Sequence, residues 1–376
     1  MIHGHGGNIV KAAEILGCRP EEITDMSSNI NPLGPMPGLL EHLKENIEKI
    51  CRLPDPDAQH AARAYADMHG LSEKCVIASS GTTEILYLLP RALGIRTALV
   101  AGPTYADYAD ALKINRAECT FFMRRADNRF CPDPEKLAKA AKGLDAVFFC
   151  NPNNPTGEFT DPEVLAGLAS CLPDTYFIID ESYLPFVHGT AGKSIADPDL
   201  PNAVVLRSLS KMHCIPGLRV GFCLAPQALA EKIRIHIPPW SVNAQAQEAV
   251  AYISENSEAA KEHAEKTRQF LQQERKAFYK RLSDIAGLSV FQSDASFVLM
   301  RAQNFTAAEI SRHMLENRIL IRDCSNFYGL DEHYFRISLK DPETNRLAAG
   351  IIAEYSGQRA EGRGQKAEGG RRKIND

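Results

Sequence analysis

Short apolar segments that alternate with helical patterns constrain the fold of this chain more than any other feature. Thr97–Ala101, Ala146–Cys150, Tyr176–Asp180 and Ala203–Arg207 consist mostly of aliphatic and aromatic residues. Continuous apolar runs of this length are typical of strands buried on both faces of a parallel sheet. The alternation predicts an α/β fold with a large, doubly wound, mostly parallel sheet and a smaller α/β domain.

The chain divides into five predicted regions. Residues 1–50 are expected to form an N-terminal arm and part of the small domain, and 51–240 the large ligand-binding domain. Residues 241–285 are expected to be connecting helices, and 286–355 the small C-terminal domain. Residues 356–376 are rich in Gly, Lys and Arg without apolar periodicity, which predicts a disordered tail.

Composition narrows the class of protein. The 376 residues carry a net charge of −4, which gives no general reason to expect nucleic acid or an anionic membrane as a partner. None of the ten cysteines forms a C-x-x-C pair, so neither a metal site nor a disulfide framework is indicated. No segment approaches the roughly 20 apolar residues of a membrane helix, and no signal peptide is evident. These features predict a cytoplasmic protein of enzyme size.

A lysine lies shortly after the fourth apolar segment, with a hydroxyl three residues before it and an arginine eight residues after it. These residues are Ser208, Lys211 and Arg219. The loop after a strand is where α/β sheets bind their ligands. A lysine there can act as a Schiff-base nucleophile while serine and arginine bind a phosphate. Taken alone, the stretch is equally consistent with a polar surface loop.

Three further polar elements follow earlier strands. Gly81–Thr83 lies between a short strand and a helix, where free backbone N–H groups can bind an anion. Asn151–Gly157 supplies amides, and Asp180 supplies a carboxylate. Pyridoxal phosphate requires a lysine for its aldehyde, a carboxylate for its ring nitrogen, donors for its phenolic oxygen and a phosphate cradle. The four elements together therefore predict a pyridoxal-phosphate site.

From His5 to Tyr355 the chain resembles the fold-type I pyridoxal-phosphate enzymes of the class I/II aminotransferase family. Asn154–Gly157, Asp180–Tyr183 and the Ser208-x-x-Lys211 motif carry the resemblance. It implies an aspartate-aminotransferase-like fold whose small domain combines the N- and C-terminal parts of the chain. It also implies pyridoxal 5'-phosphate as the cofactor and a homodimer whose active sites are completed across the interface.

The resemblance implies a role for each residue that matches the family motifs. Lys211 would form the Schiff base with the cofactor, and Asp180 would pair with the pyridinium nitrogen. Asn154 and Tyr183 would bond the phenolic oxygen, and Tyr105 would stack on the ring. The cofactor phosphate would be held by Gly81, Thr82, Thr83, Ser208 and Arg219. Tyr105 could instead be core packing, which is also the interpretation of its neighbour Tyr108.

Within the family the chain is similar to the branch of histidinol-phosphate aminotransferases and threonine-phosphate decarboxylases. Four stretches favour the decarboxylases of cobalamin biosynthesis: His5–Asn8, Ser28–Gly34, Pro239–Asn243 and Ile321–Asn326. Arg336 would then bind the substrate carboxylate, and Asn154 would also contact the substrate. The substrate phosphate would be surrounded by His5, Gly6, Asn29 and Arg322. In isolation, either arginine could be an ordinary surface charge.

The expected reaction is decarboxylation of L-threonine O-3-phosphate to (R)-1-aminopropan-2-yl phosphate. The cofactor motifs do not distinguish this from transamination, because both reactions use the same cofactor contacts. A decarboxylase acting on serine phosphate, a histidinol-phosphate aminotransferase and a non-catalytic regulator on the same fold are the alternatives. Leu53 and Ser296 depart from the branch, which usually has tyrosine and asparagine there.

Overall fold

The computed structural model describes residues 6–189, 194–196 and 200–372, so the predicted site residue His5 lies outside the described residues. The strands are β1 (Thr24–Asp25), β2 (Val76–Ser79), β3 (Thr97–Gly102), β4 (Glu118–Met123), β5 (Ala146–Cys150), β6 (Tyr176–Asp180), β7 (Ala203–Ser208), β8 (Gly221–Leu224), β9 (Leu288–Val290), β10 (Phe297–Ala302), β11 (Ile319–Leu320), β12 (Arg322–Asp323) and β13 (Tyr334–Ser338).

The α-helices alternate with the strands of the first half and dominate the second. They are α1 (Ile9–Leu16), α2 (Leu39–Glu45), α3 (Gln59–His69), α4 (Gly81–Ala92), α5 (Asp107–Ile114), α6 (Pro134–Ala141), α7 (Pro162–Cys171), α8 (Leu209–Met212), α9 (Gln227–Arg234), α10 (Ala244–Glu255), α11 (Ser257–Leu282), α12 (Ala307–Glu316) and α13 (Pro342–Arg372).

The large sheet has seven strands in the order β2-β8-β7-β6-β5-β3-β4. β8 runs antiparallel to both of its neighbours, and the other pairs are parallel. The structure therefore confirms the predicted α/β class and the mostly parallel sheet. The carboxyl ends of β5, β6 and β7 lie side by side, which brings the predicted amide, carboxylate and lysine motifs to one edge of the sheet.

Alternate side chains of the central strands pack into two cores, one on each face of the sheet. Phe148 and Ile178 belong to one core, while Val147 and Ile179 belong to the other. Side chains of a strand point alternately to opposite faces, and helices cover both faces of this sheet. This two-sided burial explains why the central strands are apolar throughout.

A second, antiparallel sheet has the order β12-β13-β10-β9, and β1 pairs in parallel with β11. The β1–β11 pair attaches the N-terminal part of the chain to the region that contains the second sheet. Met26 extends this attachment, because its N–H donates to the carbonyl of Leu320 over 2.8 Å. The domain boundaries given above remain a prediction.

Helix α13 continues as far as Arg372, and residues 373–376 lie outside the described residues. The disordered tail, residues 356–376, remains a prediction. Among the described residues, none of the helices combines the length and apolar character that crossing a membrane requires.

Candidate active site

Lys211 lies in the single helical turn α8, immediately after β7. The backbone N–H of Asn31 donates to the Lys211 carbonyl over 3.0 Å, and its side-chain amide donates to the carbonyl of Met212 over 2.8 Å. Burial lowers the pKa of Lys211 to about 8, the Arg219 guanidinium acts in the same direction, and the Asp180 carboxylate opposes both. A lysine with this pKa has an appreciable fraction of neutral, nucleophilic amine near neutral pH.

Asp180 ends β6, is buried, and accepts a hydrogen bond on each carboxylate oxygen. The Tyr108 hydroxyl donates to Oδ2 and the Ser182 N–H donates to Oδ1, both over 2.9 Å. Burial, reinforced by the Asp180 charge, raises the pKa of Tyr108 well above its usual value, so this hydroxyl keeps its proton. Tyr105 packs edge-on against Tyr108 with ring centroids 5.8 Å apart. The carboxylate is thus fixed in place beside the two aromatic rings.

The predicted phosphate cradle is assembled from three separate segments. Gly81 begins α4 with φ +76°, and a Cβ atom there would lie 2.6 Å from Nη2 of Arg219. Ser208 pairs with Gly221 across β7 and β8, and a Cβ on Gly221 would lie 2.6 Å from the backbone nitrogen of Thr82. The first turn of α4, which contains Gly81–Thr83, therefore lies against both the arginine and the end of β7. N–H groups, hydroxyls and a guanidinium together suit a phosphate.

Arg336 is a buried arginine on β13 whose hydrogen-bond partners among the described residues are neutral oxygens. Nη2 donates to the carbonyl of Ser27 over 2.7 Å, and Nη1 donates to the side-chain oxygen of Asn154. Nε is buried without a hydrogen-bond partner among the described residues. The guanidinium lies 5.0 Å from the ring of Phe297. Burial lowers the pKa of Arg336, as expected for a cation removed from water.

Arg322 lies directly opposite Arg336 in the β12–β13 pair. Opposite residues of antiparallel strands project from the same face, so the two guanidinium stems leave the sheet together. Nη2 of Arg322 donates to Asn326 over 2.7 Å, and its guanidinium lies 5.2 Å from the ring of Phe327. Burial lowers the pKa of Arg322, and the Arg336 charge acts in the same direction. The two arginines form a positively charged region that suits a substrate with two anionic groups.

A chain of hydrogen bonds joins the cofactor side of the site to the substrate side. Asn29 donates to the hydroxyl oxygen of Tyr183 over 3.1 Å and accepts from the hydroxyl of Ser338 over 2.6 Å. Burial raises the pKa of Tyr183 to about 12, against the lowering effect of Arg336. Because the Tyr183 oxygen accepts from Asn29, its own proton remains available for another acceptor.

The structure also locates the remaining predicted positions. Gly6 lies against Ser27, and a Cβ atom on it would be 2.7 Å from the Ser27 carbonyl oxygen. Leu53 is 77% exposed, so it lies away from the interior of the subunit. Ser296 is fully buried, and its hydroxyl has no hydrogen-bond partner among the described residues.

Three residues of the site were absent from the sequence-based prediction: Ser27, Asn31 and Tyr108. Tyr108 was interpreted as core packing; it is buried, and it also bonds Asp180. Its spacing of three residues from Tyr105, at the start of α5, is the only sequence signal that could have suggested this contact. Ser27 and Asn31 flank the predicted Asn29, but their partners lie in distant parts of the chain.

A comparison with protein families identifies the family to which a chain with this arrangement belongs. The family model described as "Aminotransferase class I and II" matches residues 21–352. The chain belongs to this family. Enzymes of this family use pyridoxal phosphate, and one solved neighbour of the same fold is a complex with pyridoxal-5'-phosphate. The described residues fit this cofactor: a lysine with a lowered pKa, a buried carboxylate and a phosphate cradle that a Cβ on Gly81 would disrupt.

Two kinds of relative are similar to the chain. Threonine-phosphate decarboxylase of Salmonella typhimurium is 35% identical, covering 94% of this chain and 97% of the relative. Histidinol-phosphate aminotransferase of Methanothermobacter thermautotrophicus is 29% identical, covering 93% of each. The crystal structure of L-threonine-O-3-phosphate decarboxylase from Porphyromonas gingivalis has a TM-score of 0.78 at 29% identity, covering 88% of this chain and 98% of that one.

Proposed function

We propose that the protein catalyses the decarboxylation of L-threonine O-3-phosphate to (R)-1-aminopropan-2-yl phosphate. Its similarity to the Salmonella decarboxylase over nearly the whole of both chains supports this reaction. The observation that carries the proposal is the buried Arg336, whose Nε has no hydrogen-bond partner among the described residues and which lies opposite Arg322. A buried cation without a directly bonded anion is unfavourable by several kcal/mol, and an anionic ligand relieves this penalty. Threonine phosphate offers both a carboxylate and a phosphate.

The residues of the site divide the work of substrate binding. Arg336 binds and orients the carboxylate, while Arg322 and Asn29 bind the phosphate. Gly6 lies beside the same region, with its backbone close to Ser27. Fixing both anionic groups would fix the orientation of the bonds to Cα, and this orientation would select loss of CO2 over loss of the Cα proton. The anchoring geometry therefore determines the reaction.

The residues around the cofactor control charge and protons. The cofactor, when bound, supplies an electron sink for the electron pair of the broken Cα–carboxylate bond. Asp180, held by Tyr108 and Ser182, would keep the ring nitrogen protonated. Tyr183 would donate its proton to the phenolic oxygen. The Lys211 amino group, whose pKa of about 8 allows it to exchange protons near neutral pH, delivers the proton that Cα gains as CO2 leaves.

The test is to incubate the holoenzyme with threonine phosphate, serine phosphate, or histidinol phosphate plus 2-oxoglutarate, while measuring CO2 and the amine products. We expect CO2 and aminopropanol phosphate from threonine phosphate. Release of CO2 from serine phosphate alone would make serine phosphate the substrate, while the proposed reaction would still be decarboxylation. If neither phosphorylated hydroxy amino acid releases CO2, the decarboxylase proposal is wrong.

Histidinol-phosphate aminotransfer is the second candidate, because relatives with that name match the chain over comparable lengths. It predicts glutamate formation that depends on 2-oxoglutarate, without CO2. A non-catalytic protein of the same fold is tested by Lys211→Ala, with the exposed ion-paired Lys261→Ala as the control. Lys211→Ala should abolish turnover and the cofactor absorbance of the wild type. Persistence of both would exclude either enzymatic function.

We also propose a homodimer in the cytoplasm. The exposed apolar side chains on α2 and on the segment that follows it support a subunit interface there: Leu40, Ile47, Ile50 and Leu53. Trp240 is also half-exposed, and it lies near this segment because its backbone N–H donates to the carbonyl of Pro56, shortly after Leu53, over 2.6 Å. Sedimentation of the wild type and of Ile50→Asp tests the interface. A wild-type protein that sediments as a monomer contradicts it.

A further inference from the structure

Ser27 connects two parts of the candidate active site that are far apart in the chain. Its hydroxyl oxygen accepts the N–H of Gly7 over 2.7 Å. Its backbone carbonyl accepts Nη2 of Arg336, also over 2.7 Å. Ser27 is 1% exposed, and its contact with Arg336 is buried, while its contact with the exposed Gly7 is partly buried. A single buried residue thus binds the N-terminal glycine segment, Gly6–Asn8, on one side and the substrate arginine on the other.

Asp25 fixes the orientation of the Ser27 hydroxyl. The Ser27 N–H and hydroxyl donate to Oδ1 of Asp25 over 2.8 and 2.6 Å. A serine hydroxyl has one proton, and this proton is directed at Asp25, so its lone pairs face the Gly7 N–H. The negative charge of Asp25 also acts on Arg336 in the direction that raises the arginine pKa. The turn from Asp25 to Ser27 therefore supports both groups that Ser27 contacts, the Gly7 N–H and the Arg336 guanidinium.

The glycine segment fits closely against this turn. A Cβ atom on Gly6 would lie 2.7 Å from the Ser27 carbonyl oxygen and 3.2 Å from its hydroxyl oxygen. The Ser27 carbonyl is the same atom that Arg336 contacts. Any side chain at Gly6 must therefore displace either the glycine segment or the carbonyl that holds the arginine.

We propose that Ser27 is a positioning residue that couples docking of the glycine segment to anion binding by Arg336. The proposal rests on the proposed function, because it assigns the substrate anion to Arg336. An anion that draws the guanidinium into a fixed position also fixes the Ser27 carbonyl, and with it the surface against which Gly6 and Gly7 dock. Coupling of this kind is reciprocal, so a docked segment raises the affinity of Arg336 for the anion.

The first measurement does not depend on the reaction. Hydrogen exchange of the N-terminal peptide is followed in the holoenzyme without substrate, for the wild type and for Ser27→Ala. The control is Thr306→Ala, because the Thr306 hydroxyl likewise accepts an N–H and donates to a carboxylate, here both from Glu309 at the cap of α12. Loss of the Ser27 hydroxyl should speed exchange of the peptide about tenfold, the effect of one to two hydrogen bonds, and Thr306→Ala should not.

The second measurement concerns the substrate. Ser27→Ala keeps the carbonyl that Arg336 contacts but removes the hydroxyl that holds the glycine segment. Because a docked segment raises the affinity of Arg336 for the anion, we expect KM for threonine phosphate to rise about tenfold while kcat falls less than threefold. Gly6→Ala tests the same contact from the other side without altering Ser27, and it should change exchange and KM in the same direction. Loss of stability alone would lower the amount of active enzyme without raising KM.

The outcomes separate this proposal from the proposed function. Faster exchange in both variants, together with raised KM, supports the coupling. If wild-type enzyme does not decarboxylate threonine phosphate, the proposed function fails, and exchange still decides whether Ser27 holds the segment. The coupling is wrong if exchange in Ser27→Ala equals that of the wild type, if KM is unchanged, or if Thr306→Ala produces the same shifts.

Discussion

The cofactor side and the substrate side of the site are built in different ways. On the cofactor side, Asp180 and Lys211 follow adjacent parallel strands, and Asp180 is bonded by Tyr108, 72 residues away. On the substrate side, Arg336 contacts Ser27, and Ser338 contacts Asn29, each across 309 residues. The cofactor side depends on one sheet, while the substrate side depends on contacts between two distant parts of the chain. A substitution on the substrate side should therefore leave Asp180 and Lys211 in place, while its effect can reach Tyr183 and Asn154, which bond Asn29 and Arg336.

Removing the substrate arginine should produce the largest effect and leave the cofactor side intact. Arg336→Met keeps most of the side-chain volume and removes the charge, so kcat/KM for threonine phosphate should fall about 10²- to 10³-fold. The cofactor absorbance should remain. The free energy of unfolding without substrate should change by no more than about 1–2 kcal/mol, because relief of the buried charge offsets the lost hydrogen bonds to Ser27 and Asn154. Arg301→Met, which breaks a half-exposed ion pair with Asp331, is the control. Unchanged kcat/KM in Arg336→Met would mean that Arg336 does not bind the substrate, which contradicts the distinction between a cofactor side and a substrate side.

The pH dependence of stability tests the cofactor side. In the folded protein the pKa of Lys211 is lowered to about 8, whereas in the unfolded chain it is near its ordinary value of 10.5. Between these pH values the unfolded state binds more protons, so the lysine makes the protein more stable as pH rises from about 8 towards 10.5.

The measurement is urea unfolding of the cofactor-free protein across pH 7–11, with Lys211→Met as the reference. Every other titrating group is common to both proteins, so their difference isolates the lysine. The variant should be more stable at pH 7, and its advantage should shrink by about 2 kcal/mol, at the order-of-magnitude level, by pH 10.5. A difference that does not vary with pH would mean that Lys211 is not desolvated.

A smaller effect is expected from the hydrogen bond that orients Asp180. Tyr108→Phe removes a donor to a buried carboxylate and should lower the free energy of unfolding by about 1.5 kcal/mol and kcat by about tenfold. The control is Tyr87→Phe, because the Tyr87 hydroxyl is buried without a partner among the described residues and its loss should be nearly neutral. Equal effects of the two substitutions would assign Tyr108 to packing alone.

The smallest effect is expected at Ser296. Its buried hydroxyl has no partner among the described residues, so Ser296→Ala should leave KM within about twofold and stability unchanged or up to about 1 kcal/mol higher. Ser338→Ala is the matched variant, because that hydroxyl does bond Asn29. A large loss of activity in Ser296→Ala would show that the substrate side includes this serine.

The elements that local pattern fixes were predicted well. Ala146–Cys150 and Tyr176–Asp180 have the predicted bounds, since each is a short, continuous and mostly apolar run. The alternation of strands and helices likewise gave the correct fold class. Patterns of this kind are local, so one sequence is enough to identify them.

The contacts that depend on distant partners were not predicted. The hydrogen bond from Tyr108 to Asp180 has no local signature, because a buried tyrosine in a first helical turn is equally typical of packing. The attachment of Ser27 to Arg336 requires β1 to pair with β11, and nothing in either segment specifies that pairing.

The sequence by itself determined the lysine, the carboxylate and the phosphate-binding turns, and hence the cofactor. Each of these groups lies at the end of a strand that its own residues define, and a parallel sheet brings such ends together. Only the tertiary structure decided which groups face the substrate. Among the described residues, the hydrogen-bond partners of the buried Arg336 are the neutral oxygens of Ser27 and Asn154 rather than a carboxylate, and that depends on packing between distant parts of the chain.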